Sequence, residues 1–334
     1  MEIVRTKPGD NDFQLFEMIP ELLYAKDCIR RQQSENINMD FLDACYVLVC
    51  DNEPKARLAV YKNPYLNYKE KKSACLGNYE CVDNTEISKT ILDFVVDQVK
   101  KTGNEFLIGP MNGSTWDNYR FSLQNEYPNF LLEPYHPIYY NDHFLNAGFK
   151  SIANYRSSID HEMPCDLEAV IKLEDKFGET GVKIRNIQID DFDNELKKLY
   201  PFISTAFKNN FLYTPISWTS FSNKYKEATQ SINPEYFLIA EDSLGNIISF
   251  IFCYDDLYNS SEKSLVVKTL ARDPSRQWSG LGHVLANKII RLIKSKNYQS
   301  VVHAFMIEHG TSTGASANFL GKVYKNYTLY GIQL

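Results

Sequence analysis

The sequence predicts an α/β fold in two tandem domains, on three observations. The chain has 334 residues, more than one hydrophobic core usually serves. A similar succession of strands, helices and an antiparallel hairpin is legible once in each half. In the second half an apolar run, Ser264 to Leu270, leads through the loop Arg276-Gln277-Trp278-Ser279-Gly280-Leu281-Gly282 into an amphipathic run, His283 to Lys296. A strand, a glycine-bearing loop and a helix in that order form a cradle for phosphate. The first N–H groups of a helix lack internal partners, and the helix dipole favours an anion there. Gly280 and Gly282 let the backbone approach a ligand, because neither has a Cβ.

The first half opens with a strand, Glu2 to Thr6, and a helix, Phe13 to Tyr24. Tyr46 to Cys50 and Ala56 to Tyr61 are β-rich runs around Asp51-Asn52-Glu53-Pro54, which predicts a hairpin with a loop longer than two residues. A strand from Ala74 to Cys81 follows. Asp83-Asn84-Thr85 then offers an N-cap for a helix from Glu86 to Lys101, with Ile87, Ile91, Phe94, Val95 and Val99 on one face. Gly103 ends it, and Phe106 to Ile108 returns as a strand. Gly109 to Ile138 is turn-rich, which leaves open a binding loop or a packing flap. The aromatic run Tyr135 to Tyr140 could line a pocket or fill a core. Asn141 to Ala147 reads as a short helix stopped by Gly148, before a strand to Ile159.

The boundary falls near Met163-Pro164, and Cys165 to Thr180 is a linking helix. Val182 to Ile189 is a strand, followed by helices from Asp193 to Phe207 and Phe221 to Ala228. Phe237 to Ala240 and Ile247 to Tyr254 form a hairpin. Ser264 to Leu270 precedes the glycine loop, and Leu285, Ile289, Leu292 and Ile293 line one face of the next helix. Val301 to Met306 is a strand. Ser312 to Leu320 reads as a short helix stopped by Gly321, and Val323 to Ile332 as the closing strand.

Composition narrows the function. The net charge is −6, with Lys and Arg dispersed, so no nucleic-acid partner is expected. No apolar run reaches the roughly 18 residues that span a bilayer, and Met1 to Thr6 lacks an apolar signal core. The expectation is a cytoplasmic protein with no membrane partner, as monomer or dimer. The seven cysteines include no C-x-x-C pair, which predicts reduced thiols. No metal site is expected, since His303 and His309 lack ligand spacing and further partners.

The order strand, helices, hairpin, strand, glycine loop, helix, strand, helix, strand resembles the GCN5-related N-acetyltransferase (GNAT) superfamily. Its Q/R-x-x-G-x-G/A motif is matched by Gln277-Trp278-Ser279-Gly280-Leu281-Gly282. The resemblance covers nearly the whole chain as two GNAT-like domains, each with a mixed α+β sheet: residues 1–162 degenerate, 163–334 binding acyl-CoA. Gly77-Asn78-Tyr79-Glu80, Gly109-Pro110-Met111-Asn112 and Tyr139-Tyr140 with Ala147-Gly148-Phe149 resemble a less-characterised bacterial group with no firm substrate. At the loop position the first half has Cys81 to Glu86, without glycine, and Asp83, Glu86 and Asp93 would repel phosphate. Only the second half is therefore expected to bind the co-substrate.

The resemblance implies acetyl-CoA, or another acyl-CoA, with its pyrophosphate on the backbone from Trp278 to His283. It implies pantetheine pairing along Val267, Thr269 and Leu270, and Arg272 and Arg276 within reach of phosphates. An amine of a small molecule or peptide would attack the thioester. Transfer needs a proton route, an oxyanion donor and a proton for the thiolate. The family's usual tyrosine acid is replaced by Ala317, and its asparagine by His309 and Gly310. Substitute acids are Tyr324, Tyr327, Ser312 and Ser316; His303 and Glu308 are candidate bases. Two alternatives stay open: a catalytically degenerate GNAT-fold binding or scaffold protein, and an aminoacyl-tRNA-dependent transferase. The absence of a basic patch opposes the second.

Overall fold

The computed structural model describes residues 1–24, 37–165, 167–226, 229–308 and 321–334. The predicted helix at 312–320, with Ser312, Ser316, Ala317, His309 and Gly310, lies outside them, as does Cys28. The first half contains β1 (Glu2–Thr6), α1 (Phe13–Leu23), β2 (Leu42–Cys50), β3 (Glu53–Tyr61), β4 (Asn67–Tyr68), β5 (Lys71–Cys81), α2 (Thr85–Lys100), β6 (Phe106–Gly109), β7 (Phe121–Ser122), α3 (Tyr140–Asn146) and β8 (Lys150–Asp160). The second contains α4 (Leu167–Glu179), β9 (Lys183–Asn186), α5 (Phe192–Ala206), α6 (Trp218–Lys226), β10 (Phe237–Glu241), β11 (Ile247–Asp255), β12 (Ser264–Arg272), α7 (Leu281–Ser295), β13 (Ser300–Ile307) and β14 (Lys322–Gln333). The fold is mixed α/β, as the alternation of elements predicts.

The chain forms two compact units that do not follow the midpoint of the sequence. One comprises Met1–Tyr155, Phe211–Thr214 and Lys325–Leu334; the other Arg156–Asn210 and Pro215–Tyr324. Within the first unit the strands run β1-β2-β3-β5-β6-β14. The neighbours from β1 to β5 are antiparallel, β5 and β6 are parallel, and β14 is antiparallel to β6. The last strand of the sequence thus lies inside the sheet of the first unit, between β6 and residues 150–155 of β8. In the second unit residues 156–160 of β8 lie beside β13, followed by β12, β11, β10 and β9.

Each unit buries its own core. In the first, α2 and α3 cover the sheet face that carries Leu58, Val60 and Leu76, and Ile91, Val95 and Phe144 are fully buried there. In the second, α4 and α7 cover Ile251, Cys253, Leu265 and Val301, with Leu281, Leu285 and Ile293 inserted. The opposite face of that sheet is aromatic, with Phe250 between Phe202 of α5 and Phe237 of β10.

Some boundaries differ from expectation. The β2–β3 turn has two residues, not a longer loop. Asp51 and Asn52 take φ of 52° and 63°, the left-handed pair of a tight hairpin, and Pro54 lies inside the strand opposite Val49. Helix α7 starts at Leu281, two residues early, because Gly280 with φ of 94° is its N-cap. Strand β9 is shorter than Val182 to Ile189, and α6 begins at Trp218 instead of Phe221. The capping prediction holds: Asn84 Oδ1 accepts from Glu86 N at 3.0 Å and Ile87 N at 3.1 Å. Six cysteines are unpaired among the described residues, four of them buried. Burial pushes the Cys75 thiol up to about 12, so it stays protonated and unreactive.

Candidate functional site

The glycine loop closes one end of a gap in the sheet of the second unit. Strands β12 and β13 are parallel neighbours over Ser264–Val267 and Ser300–His303 only. Beyond these residues they separate, and β12 continues to Arg272 paired with β11 alone. Lys268 is an extra residue at this point, between Val267 opposite Cys253 and Thr269 opposite Phe252. A bulge turns a strand and ends its pairing. On the far side of the gap, Phe305 has φ of 55°, and its N–H donates to Ser157 Oγ at 3.1 Å. The β12 edge from Lys268 to Arg272 can therefore pair with an extended ligand as an added strand.

Past β12 the chain makes a tight turn. Arg272 donates to the carbonyl of Ser275 at 2.9 Å and to that of Asp273, which fixes the turn and occupies its guanidinium. Trp278 N donates to Ser275 O at 3.1 Å and Ser279 N to Arg276 O at 3.0 Å. Arg276 and Gln277 are exposed. The first helical bond of α7 is Val284 N to Gly280 O, 3.1 Å, so the N–H groups of Leu281 and Gly282 have no helical acceptor. Leu281 is buried in the core while Gly282 and His283 stay partly open. Helix α7 is tied to α4 by Glu174, which accepts from Arg291 and, at 3.4 Å, from Lys288.

The other predicted residues fall in different places. His303 stands at the last paired position of β13, half-buried. Burial pushes its imidazole down to about 4, partly opposed by Asp160, so it is uncharged at neutral pH. Tyr324 belongs to the second unit and Tyr327 to the first. Tyr327 is 2% exposed, and its hydroxyl donates to Glu133 at 2.8 Å. Lys325, also buried, meets the same carboxylate at 2.5 Å. Glu308 is exposed.

The first unit repeats the gap and fills it. Strands β5 and β6 pair only over Ser73–Cys75 and Phe106–Ile108, and β5 then has its own irregularity beside Asn78, with φ of 47°. Here the turn-rich segment enters the space. Met111 N donates to Leu76 O at 2.7 Å, and Asn78 N donates to Asn112 Oδ1 at 2.8 Å. A Cβ on Gly77 would lie 2.2 Å from that Oδ1 and 2.6 Å from Met111 O, so glycine lets the segment lie against β5. The helix N-terminus is occupied too, since the Asn84 side chain takes two of its N–H groups.

The Tyr135 to Tyr140 run divides between core and pocket lining. Tyr140 is fully buried and donates to Glu80 at 2.8 Å. Glu80 also accepts from Tyr24 at 2.5 Å and lies 3.8 Å from Arg57. Tyr79 and His143 Nδ1 are 2.8 Å apart, and burial holds the imidazole below its ordinary range. Tyr135 and His136 line a cavity of about 30 Å³ with Tyr79, Glu80 and Arg120, room for a water molecule and not for a substrate. Sequence reasoning missed Lys268, Glu80 and the Glu133–Lys325 pair. A single cation inside the apolar run Val266 to Leu270 was the available signal for the first.

No family model and no curated protein matches the sequence. Solved structures do match along the chain. It is similar to a tandem GNAT protein from the clavulanic acid biosynthesis pathway, with TM-score 0.55 and 10% identity over 99% of this chain and 98% of that one. It is similar to a GCN5-related N-acetyltransferase from Sphaerobacter thermophilus, with TM-score 0.53 and 9% identity over 99% and 95%. It also matches the GCN5-related glucosamine N-acetyltransferase region of a fungal multi-domain GH3 beta-N-acetylglucosaminidase. That match has TM-score 0.56 and 12% identity and covers 99% of this chain and 38% of the longer protein. With the parted strands, the bulge and the loop-to-helix turn, these likenesses establish that the chain has the tandem GCN5-related N-acetyltransferase fold.

Proposed function

We propose that this protein is an acyl-CoA-dependent N-acyltransferase, transferring an acetyl group to a primary amine of a small molecule or peptide. We also take residues 1–162 and 163–334 as the two diverged repeats, with only the second holding the acyl donor. One contrast carries this reading. The gap beside β12 is free of its own chain among the described residues and ends at uncapped N–H groups of α7, whereas the gap beside β5 is filled by Met111 and Asn112.

In this reading Leu281, Gly282 and neighbouring backbone from Trp278 to His283 hold the pyrophosphate. The β12 edge at Val267, Thr269 and Leu270 pairs with the pantetheine amides. Arg276, exposed at the turn, reaches the phosphates, while Arg272 holds the turn together. The amine nitrogen bonds to the thioester carbon, the C–S bond breaks, and the sulfur leaves as thiolate. His303 is a weak proton acceptor because burial holds it near 4, so the amine arrives neutral or loses its proton to water. Tyr324 and Ser312 remain proposed thiolate acids.

The test is thermal denaturation with acetyl-CoA, followed by free-thiol release across a panel of amines. A raised Tm with thiol release supports the reading. Binding without release for any amine favours a scaffold protein, and no shift with any acyl-CoA refutes donor binding.

A further inference from the structure

Strands β12 and β13 have nine and eight residues, yet they pair only over Ser264–Val267 and Ser300–His303. Unpaired backbone groups between neighbouring strands are costly, so a parallel pair ordinarily runs the length the strands share. The bulge at Lys268 bends β12. On β13, Phe305 takes φ of 55°, just beyond the last paired residue, His303. The left-handed region is disfavoured for a residue with a Cβ, and most of all for a bulky one. Such a conformation persists only where neighbouring groups hold it, and it is found most often at functional sites.

The group that holds it is Ser157 of β8. This side chain is fully buried, and its Oγ accepts from Phe305 N at 3.1 Å. Strand β8 lies on the side of β13 away from β12, so the Phe305 N–H is turned away from the gap. A serine hydroxyl in place of a ladder carbonyl takes Phe305 out of regular strand geometry. The first unit has no need of such a device. There β6 stops at Gly109, and the following Pro110 has no N–H to continue a ladder, whereas β13 runs on along the gap to Ile307. We propose that Ser157 and Phe305 are positioning residues: their hydrogen bond keeps β13 bent away from β12, and the gap so held open admits the extended arm of the acyl donor. The proposal rests on the acyltransferase reading, which supplies the occupant, and neither side chain takes part in making or breaking bonds.

The test is calorimetric titration of the full chain with CoA, beside thermal unfolding and amide hydrogen exchange of the unliganded protein. Ser157→Ala removes the acceptor and should weaken CoA binding about fivefold to tenfold, the worth of roughly one hydrogen bond. It should also raise exchange protection along β12 from Lys268 to Arg272, as the strands close up. Adding Phe305→Gly to Ser157→Ala should restore most of the affinity, because glycine keeps a positive φ without being held there. A serine that merely stabilises the sheet gives no such rescue, since glycine weakens a strand further. Should Ser157→Ala not fold, Phe305→Val, β-branched and averse to positive φ, takes its place with the same expected loss. Unweakened CoA binding in the folded variant, or no rescue by Phe305→Gly, would overturn the proposal. If the unaltered protein binds no CoA, the acyltransferase reading fails, and unchanged exchange along β12 in Ser157→Ala then separately overturns the role of the pair.

Discussion

Gly282 separates what the fold needs from what a ligand needs. It is the second residue of α7, and the nearest atoms to a Cβ there would be those of the Leu270 side chain at 3.7 Å, an ordinary contact. Gly282→Ala should therefore stabilise the unliganded protein by about 0.4–1 kcal/mol, through the lost freedom of the unfolded chain. For a unit of this size that is a Tm rise of roughly 1–4 °C. Gly282→Glu places a carboxylate in the first turn, which the helix dipole favours by about 0.3–1 kcal/mol, so this variant too should be no less stable. The liganded state responds differently. Acetyl-CoA at a hundred times its Kd adds about 2.7 kcal/mol, or roughly 5–11 °C in Tm. A carboxylate about 5 Å from a phosphate charge costs about 3 kcal/mol at an effective dielectric of 20, enough to cancel that gain. Scanning calorimetry with and without acetyl-CoA should show Gly282→Ala keeping most of the shift and Gly282→Glu losing it while remaining stable. A full shift in Gly282→Glu would refute phosphate binding at this helix. Gly280 is a poorer probe, because its φ of 94° makes any side chain strained in the folded protein itself.

Gly77→Ala should destabilise the protein by about 1–3 kcal/mol and raise amide exchange at Met111, because its Cβ would collide with Asn112 and the Met111 carbonyl. Lys325→Met leaves the Glu133 carboxylate buried without its cation and should cost about 3–5 kcal/mol in urea unfolding, much of it recovered by adding Glu133→Gln. His303 has a folded value of about 4 against an ordinary 6.5. Its uncharged form supports the fold fully above about 6.5 and that support is lost as pH falls toward 4. The Tm should decline through that window, and His303→Gln should flatten the decline. Acyl transfer should rise with pH toward the acceptor amine's own pKa, without an inflection near 6.5, and a histidine-like inflection in kcat/KM would contradict the proposed proton route.

The periodicity of the sequence carried most of the elements. Apolar spacing at Ile87, Ile91 and Val95 marked α2, and Asn84 marked its start. Both are local effects, settled by helical geometry and by the orphan N–H groups of a first turn. The expected β2–β3 loop was too long because it took in Glu53 and Pro54. Pro54 is tolerated in the strand at Glu53–Tyr61, opposite Val49. Lys268 gave only a weak signal, since a bulge depends on the register between two strands and not on either sequence alone. The Glu133–Lys325 pair joins residues 192 positions apart, beyond any local pattern.

By itself the sequence determined the repeated α/β plan and placed the loop from Gln277 to Gly282 between a strand and a helix, because both follow from short-range spacing and from glycine's backbone. Only the tertiary structure decided which gap is filled. Met111 and Asn112 reach β5 through a long-range approach that Gly77 permits. Likewise, the sheet of the first unit takes an inner strand, β14, from the end of the sequence and seats it between β6 and β8. Strand pairing over such separations depends on register and packing, and those exist only once the chain has folded.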